Sequence, residues 1–276
     1  MIIKSINIIY LNIAGFYIKI DFLPRLSRSK KYFKINNLYE KINKLLKDFI
    51  IIHKPQKIDL YIQIKKQNLL TINKKRSFYQ YNYLVYYIEK DNYIETYQHI
   101  SISHFMFLLI RLLQKLLVRK KGFFLHASTS VINNDAFVFV GRPNAGKSTI
   151  IQLIRKAFTP IADDGIIIRE ENAKFYLYQT PDPDKFPWIS KSPHRFNIQK
   201  IFFLRKSKKL KMIKIEDKSK IFSLLINQLW TTDVSLPNQI STIKNFIDIN
   251  NNFYYLYFPK VKDKLIGELY KFTDQH

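Results

Sequence analysis

From Gly15 to Leu23 the chain alternates, with Phe16, Ile18, Ile20 and Phe22 on one side and Tyr17, Lys19 and Asp21 on the other. A period of two predicts a half-buried strand, because successive side chains leave a strand on opposite faces. The alternation returns at 58–65 and in a Tyr-rich stretch from Tyr79 to Tyr97, where Lys90-Asp91-Asn92 predicts a hairpin turn. Cross-strand Tyr pairs account for that stretch most simply, since Tyr has high β propensity; a base-stacking surface is the alternative. Between the first two strands, Leu38, Ile42, Leu45, Leu46 and Phe49 recur at helical spacing. They predict a helix over 37–50, with Asn36 or Asn37 as its cap.

Past His99 the period becomes helical as far as Val118, and Ser101 or Ser103 can cap this helix. A strand follows over 123–132, then a tight turn at Asn133-Asn134-Asp135 and a second strand from Ala136 to Val140. A helix is predicted over 148–158, a short apolar strand over 159–162, a Pro-rich loop over 181–195 and a strand over 198–204. The run from Arg205 to Lys211 reads as a solvated turn between strands and is given no role. This organisation predicts a smaller β-rich N-terminal domain over 1–98 and an α/β domain over 99–276.

Val140 runs into Gly141-Arg142-Pro143-Asn144-Ala145-Gly146-Lys147-Ser148-Thr149, a full match to G-x-x-x-x-G-K-[ST]. Strand, glycine loop and helix follow in the order that phosphate binding requires. Glycine lets the backbone turn its N–H groups inward around phosphate oxygens, and the helix N-terminus adds partial positive charge. Lys147 is expected to reach the β- and γ-phosphates, and the Ser148 hydroxyl to ligate Mg²⁺. The chain has six glycines in all, which makes a chance match rare.

The loop by itself resembles that of Era-like GTPases. Such a GTPase needs a downstream D-x-x-G, yet the two glycines beyond the loop, Gly165 and Gly267, are preceded at that spacing by Ala162 and Lys264. No Asn/Thr-Lys-x-Asp guanine motif follows either. A second resemblance fits more of the chain. Phe124-Leu125-His126-Ala127-Ser128, the two strands leading into the loop, and Pro160-Ile161-Ala162-Asp163-Asp164 together resemble the catalytic domain of HPr kinase/phosphorylase and its relatives. The strand at 253–258 with its following amphipathic helix resembles the close of those domains. His126 lies 15 residues before Gly141 and Asp163 lies 16 after Lys147, close to the family's spacing.

That resemblance implies an α/β fold, a P-loop-containing mixed β-sheet flanked by helices. It also implies ATP and Mg²⁺ as cofactors, and a catalytic group of His126, Lys147, Asp163 and Asp164. One acid would be general base and the other would join Ser148 in the metal shell. Asp164 is set beside Ser148 as the metal pair, although the residues leave open which acid does which. The competing reading of Asp163-Asp164-Gly165 is a turn closing a hairpin between Ile161 and Ile166. The competing reading of His126 is a strand-end histidine with satisfied backbone bonds. His194, Arg195 and Lys191 are candidates for phosphate or substrate contacts. The family's Gly-containing signature beyond the paired acids is missing, because no Gly lies between 165 and 267. The protein HPr as acceptor and the reverse phosphorolysis are therefore not expected.

Composition changes this picture little. Hydrophobic residues make up 47%, enough for a sizeable core, and the formal charge is +25. The surplus is 36 Lys against 10 Arg, spread along the chain. Arg carries most bidentate recognition of bases and phosphates, so the excess argues against a nucleic-acid partner. There is no Cys, which excludes disulfides and thiol chemistry. The apolar stretches at 6–16 and 105–118 are read as core elements, since a membrane span needs roughly 17 apolar residues. A cytoplasmic location is expected. The leading expectation is thus an ATP-dependent kinase acting on a hydroxyl of a small molecule, peptide or protein. The alternative is an ATP-binding module that presents a partner surface without transfer, and an Era-like GTPase ranks behind both.

Overall fold

The computed structural model describes residues 7–23, 36–65, 76–80, 83–97, 100–230, 236–259 and 262–272. The chain is a mixed α/β protein that divides into two compact units, Met1–Leu112 and Leu113–His276.

In the first unit a six-stranded sheet is built from β1 (Asn7–Ile13), β2 (Phe16–Leu23), β3 (Leu60–Lys65), β4 (Arg76–Gln80), β5 (Tyr83–Lys90) and β6 (Tyr93–Tyr97), in the order β1-β2-β3-β6-β5-β4. The alternation read in β2 is real: Phe16, Ile18, Ile20 and Phe22 are all buried. Helix α1 (Asn36–Leu45) stops earlier than its spacing predicts and passes into a single 3₁₀ turn, Lys47–Phe49. The backbone leaves the helix there because Ile50 bridges Leu11, and Ile51 N–H donates to the Tyr10 carbonyl at 2.9 Å. Side chains over 76–86 lie outside the described residues; Tyr93 stands opposite Tyr61 in the parallel β3–β6 ladder. Helix α2 (Ile102–Arg119) crosses the division between the units, and Ser101 caps it by accepting from His104 N–H at 3.1 Å. Among the described residues no helix is long and apolar enough to cross a membrane.

The second unit continues with β7 (Gly122–Leu125), β8 (Ala127–Ile132), β9 (Asp135–Val140), α3 (Lys147–Ile154), β10 (Thr159–Ala162), β11 (Ile166–Glu171), β12 (Lys174–Gln179), β13 (Arg195–Lys206), β14 (Lys211–Lys214), α4 (Lys218–Ile226), α5 (Leu236–Ile249), β15 (Phe253–Phe258) and α6 (Lys262–Tyr270). The strand order is β10-β8-β9-β13-β12-β11-β7, and β15 adds to β13 with β14 beyond it. The predicted single strand over 123–132 is in fact two strands that break at His126. Its halves belong to opposite ends of the sheet, so the chain must change partners at that residue. The same happens between β10 and β11, with only Asp163, Asp164 and Gly165 between them. These paired crossings require the sheet to curl until its two ends approach. The hairpin reading of Ile161 and Ile166 is not seen: β10 pairs with β8, while β11 pairs with β12 and β7.

Three neighbouring strands, β9, β13 and β15, run parallel and end at one edge of the sheet. Alternate residues of β9 feed two cores. Phe137 and Phe139 join Ile150, Ile151 and Ile154 of α3 and Leu265 and Leu269 of α6. Val138 and Val140 join Ile221 and Leu225 of α4 and Ile243, Phe246 and Ile247 of α5. Burial on both faces explains why β9 reads as a continuous apolar run rather than an alternating one. Helix α3 is shorter than its spacing predicts, because Phe158 turns in to pack its ring 5.3 Å from that of Phe137 before β10 begins. Phe202, at the centre of β13, is fully buried and stacks on Phe139 with centroids 5.6 Å apart. Phe202→Ala is expected to lower unfolding free energy by about 3–5 kcal/mol, measured by urea denaturation, because the cavity adds to the lost transfer energy.

Candidate functional site

The glycine loop joins the end of β9 to α3. Gly146 takes φ +108°, and a Cβ there would lie 2.8 Å from Phe258 Cζ, so only glycine fits both the turn and the packed ring. Asn144 also has a left-handed φ, 63°. Lys147, the first residue of α3, is buried, and its Nζ donates to the Gly141 carbonyl at 2.7 Å. Burial lowers the Lys147 pKa, against the opposing pull of Asp164 and Asp163. A cleft of about 1070 Å³ opens above the loop. Pro143, Asn144, Ala145, Gly146, Lys147, Ser148 and Thr149 line it, Gly141 is buried, and Arg142 is exposed outside the lining.

His126, Asp163 and Asp164 line the same cleft. The two acids differ sharply. Asp163 is 3% exposed, and its Oδ2 accepts from Ser148 Oγ at 3.2 Å. Ser128 Oγ lies 3.2 Å from Asp163 Oδ1 and 2.7 Å from its carbonyl oxygen. The Asp163 N–H donates to Asp184 Oδ1 at 2.8 Å. Burial raises the Asp163 pKa, and the hydroxyls of Ser148 and Ser128 oppose that rise. Asp164 points to solvent, with Oδ1 3.4 Å from His126 Nδ1. Burial first, and then the Lys147 charge, lower the His126 pKa, so the imidazole is neutral at pH 7. Its backbone is fixed independently, by His126 N–H donating to the Gln228 carbonyl at 2.8 Å. The structure therefore sets Ser148 beside Asp163, not beside Asp164 as the sequence reading paired them. Consecutive residues at a strand end face opposite ways, and burial selects Asp163 for the serine side.

Of the other candidates, Lys191 is not at the cleft. It is nearly buried and pairs with Asp184 at 2.6 Å. Arg195 pairs with Glu171 at 3.0 Å and lies over the Tyr176 ring. His194 does not line the cleft either. Sequence reasoning missed Asp184 and Lys185, and it gave no role to Lys206, Ser207 and Lys208, which line the cleft together with Phe258 and Pro259. The parallel register was the missing information: it alone carries the ends of β13 and β15 to the loop.

No family model and no curated protein matches this chain. Among solved structures, the chain is similar to the Hpr(Ser) kinase/phosphatase from Coxiella burnetii, at 18% identity. The likeness covers 55% of this chain and 95% of that one, with a TM-score of 0.28. The relationship is a distant structural one.

In the Pro-rich loop, burial pushes the Asp182 pKa up to about 6 from an ordinary 3.8, with the Lys191 charge opposing the rise and Asp164 and Asp184 adding to it. Between those values the folded chain holds a proton that the unfolded chain releases. Stability therefore falls as pH rises through that window, and the penalty is complete above it. Asp182→Asn should remove a loss on the order of 3 kcal/mol, read as the difference between variant and parent in urea unfolding at pH 4 and pH 7.5. Gly146→Ala is expected to destabilise the fold by about 1–3 kcal/mol in the same assay, from the left-handed backbone and the Phe258 contact.

Proposed function

We propose that this protein is an ATP-dependent kinase that transfers the γ-phosphoryl group to a hydroxyl. The observation that carries this reading is the convergence of a complete G-x-x-x-x-G-K-[ST] loop, a buried acid bonded to the loop serine, and a second, solvent-facing acid beside a neutral histidine, all on one cleft. Lys147 and the loop hold the phosphates, and the α3 N-terminus favours their charge. Ser148 Oγ and Asp163 Oδ2 offer two hard oxygens side by side. That donor set suits Mg²⁺, which takes few protein ligands and completes its shell with water and phosphate. Bound there, Mg²⁺ would neutralise charge on the transferring group.

Asp164 serves as the general base. It is free to approach an incoming hydroxyl, while His126 restrains its carboxylate. The acceptor oxygen attacks the γ-phosphorus as its proton passes to Asp164. The bond from the γ-phosphorus to the β–γ bridging oxygen breaks, and ADP leaves. Catalysis is mostly positioning and charge stabilisation.

The test is incubation with γ-labelled ATP and fractionated cell extract, asking which fraction captures label. Asp164→Asn should retain ATP binding and lose about 10²–10⁴-fold in transfer rate. Nucleotide binding without label capture from metabolite, peptide or protein pools would defeat the kinase reading and leave a nucleotide-binding module.

A further inference from the structure

The Lys-rich run after β13 sits at the cleft, on the far side of the glycine loop from the acids. The strand order fixes this placement. β10, which ends just before Asp163, and β8, which begins just after His126, lie on one side of β9. β13 and β15 lie on the other. Phe203 is level with Val140, so the next residues of β13 run on beside the loop itself. Lys206 is level with Phe258, and Ser207 N–H donates to the Phe258 carbonyl at 3.3 Å. The Phe258 ring in turn closes on Gly146. The turn is thereby pinned to the phosphate loop through one aromatic side chain.

Lys206 and Lys208 are exposed and have no ion-pair partner among the described residues. Two unneutralised ammonium groups on the wall of a concave site concentrate anions there. Transfer requires the γ-phosphate to face Asp164 and His126. The remainder of the triphosphate must then extend away from them, toward the opposite wall. We propose that the β13–β14 turn is a second phosphate-binding element, in which Lys206 and Lys208 take the nucleoside-proximal phosphates. This rests on the nucleotide reading above and adds to it a site outside the glycine loop. A flexible Lys suits the role, since it serves as a point charge for phosphate rather than a planar fork.

The experiment is calorimetric titration of the full chain with Mg-ATP and with Mg-ADP. Lys206→Gln/Lys208→Gln is compared with Lys209→Gln/Lys211→Gln, which removes equal charge from the turn and the start of β14, outside the cleft lining. The first pair should weaken ATP and ADP alike, by about tenfold, and the second by less than about twofold. An unchanged melting temperature in both variants will separate binding from folding. Loss of ATP affinity with ADP spared would overturn the inference, placing the lysines at the γ-phosphate. So would equal losses in both variants, which would mean a diffuse field. Unaltered nucleotide affinity in the first variant sinks this inference alone, whereas parent protein that binds neither nucleotide sinks the triphosphate reading as well.

Discussion

The hydrogen bonds that converge on Asp163 join segments that are far apart in the chain. Ser128 brings β8, and with it His126 at the strand's start; Ser148 brings the first turn of α3 and the glycine loop; Asp184 brings the Pro-rich loop that carries Lys185. A carboxylate this deeply desolvated is costly unless hydrogen-bonded, and the Ser148 and Ser128 hydroxyls offset part of that cost, while Asp184 holds the backbone amide. The geometry of the cleft follows from satisfying one buried acid. Losing any partner would free a segment as well as a bond.

The curl of the sheet makes that convergence possible. In a flat sheet with this strand order, His126 and Asp163 would sit at junctions spanning the sheet's whole width. Closing the sheet turns both junctions into a seam beside the loop, where each segment passes from one strand to the next. The crevice beyond the carboxyl ends of parallel strands gives the same location from the other side, since β9, β13 and β15 all end there. Two independent topological features thus place the polar groups of the site at one edge.

The glycine loop and the paired acids were legible because their chemistry is local. Gly146, Lys147 and Ser148 are adjacent, and the Asp pair closes a four-residue apolar strand. The break at His126 was not legible: Phe124, Leu125 and Ala127 on either side of it are apolar and fully buried, and nothing in composition marks a change of partner. The difference between the acids was equally hidden, since it depends on Ser128 lying across the strand. The Lys run is the exposed turn between two strands that was expected, and its place on the cleft was hidden for a related reason. A string of cations at a turn is normally solvated, and only the parallel register carries Lys206 and Lys208 to the cleft. The general Lys excess obscured this cluster, because a charge that recurs along the whole chain gives no reason to single out one stretch.

The Asp184–Lys191 pair shows how this site trades stability for position. Both side chains are nearly buried, 3% and 11% exposed. Such a pair seldom stabilises a fold, since desolvating two ions offsets most of their attraction. Nearby Asp182 adds a half-buried carboxyl with a raised pKa, so the neighbourhood is electrostatically expensive. What the pair achieves is orientation. One Asp184 oxygen faces Lys191 and the other holds the Asp163 N–H, which fixes the backbone from which Asp163 and Asp164 diverge. Gln179 reinforces the arrangement, donating to the carbonyls of Ile161 and Ser190 and accepting from Ser192. The Pro-rich loop is thereby fastened to the chain that leads into the acids, at Ile161 through Gln179 and at the Asp163 amide through Asp184. An apolar loop could pack there more cheaply, but it would offer no acceptor for the Asp163 amide and would leave the direction of both carboxylates unset.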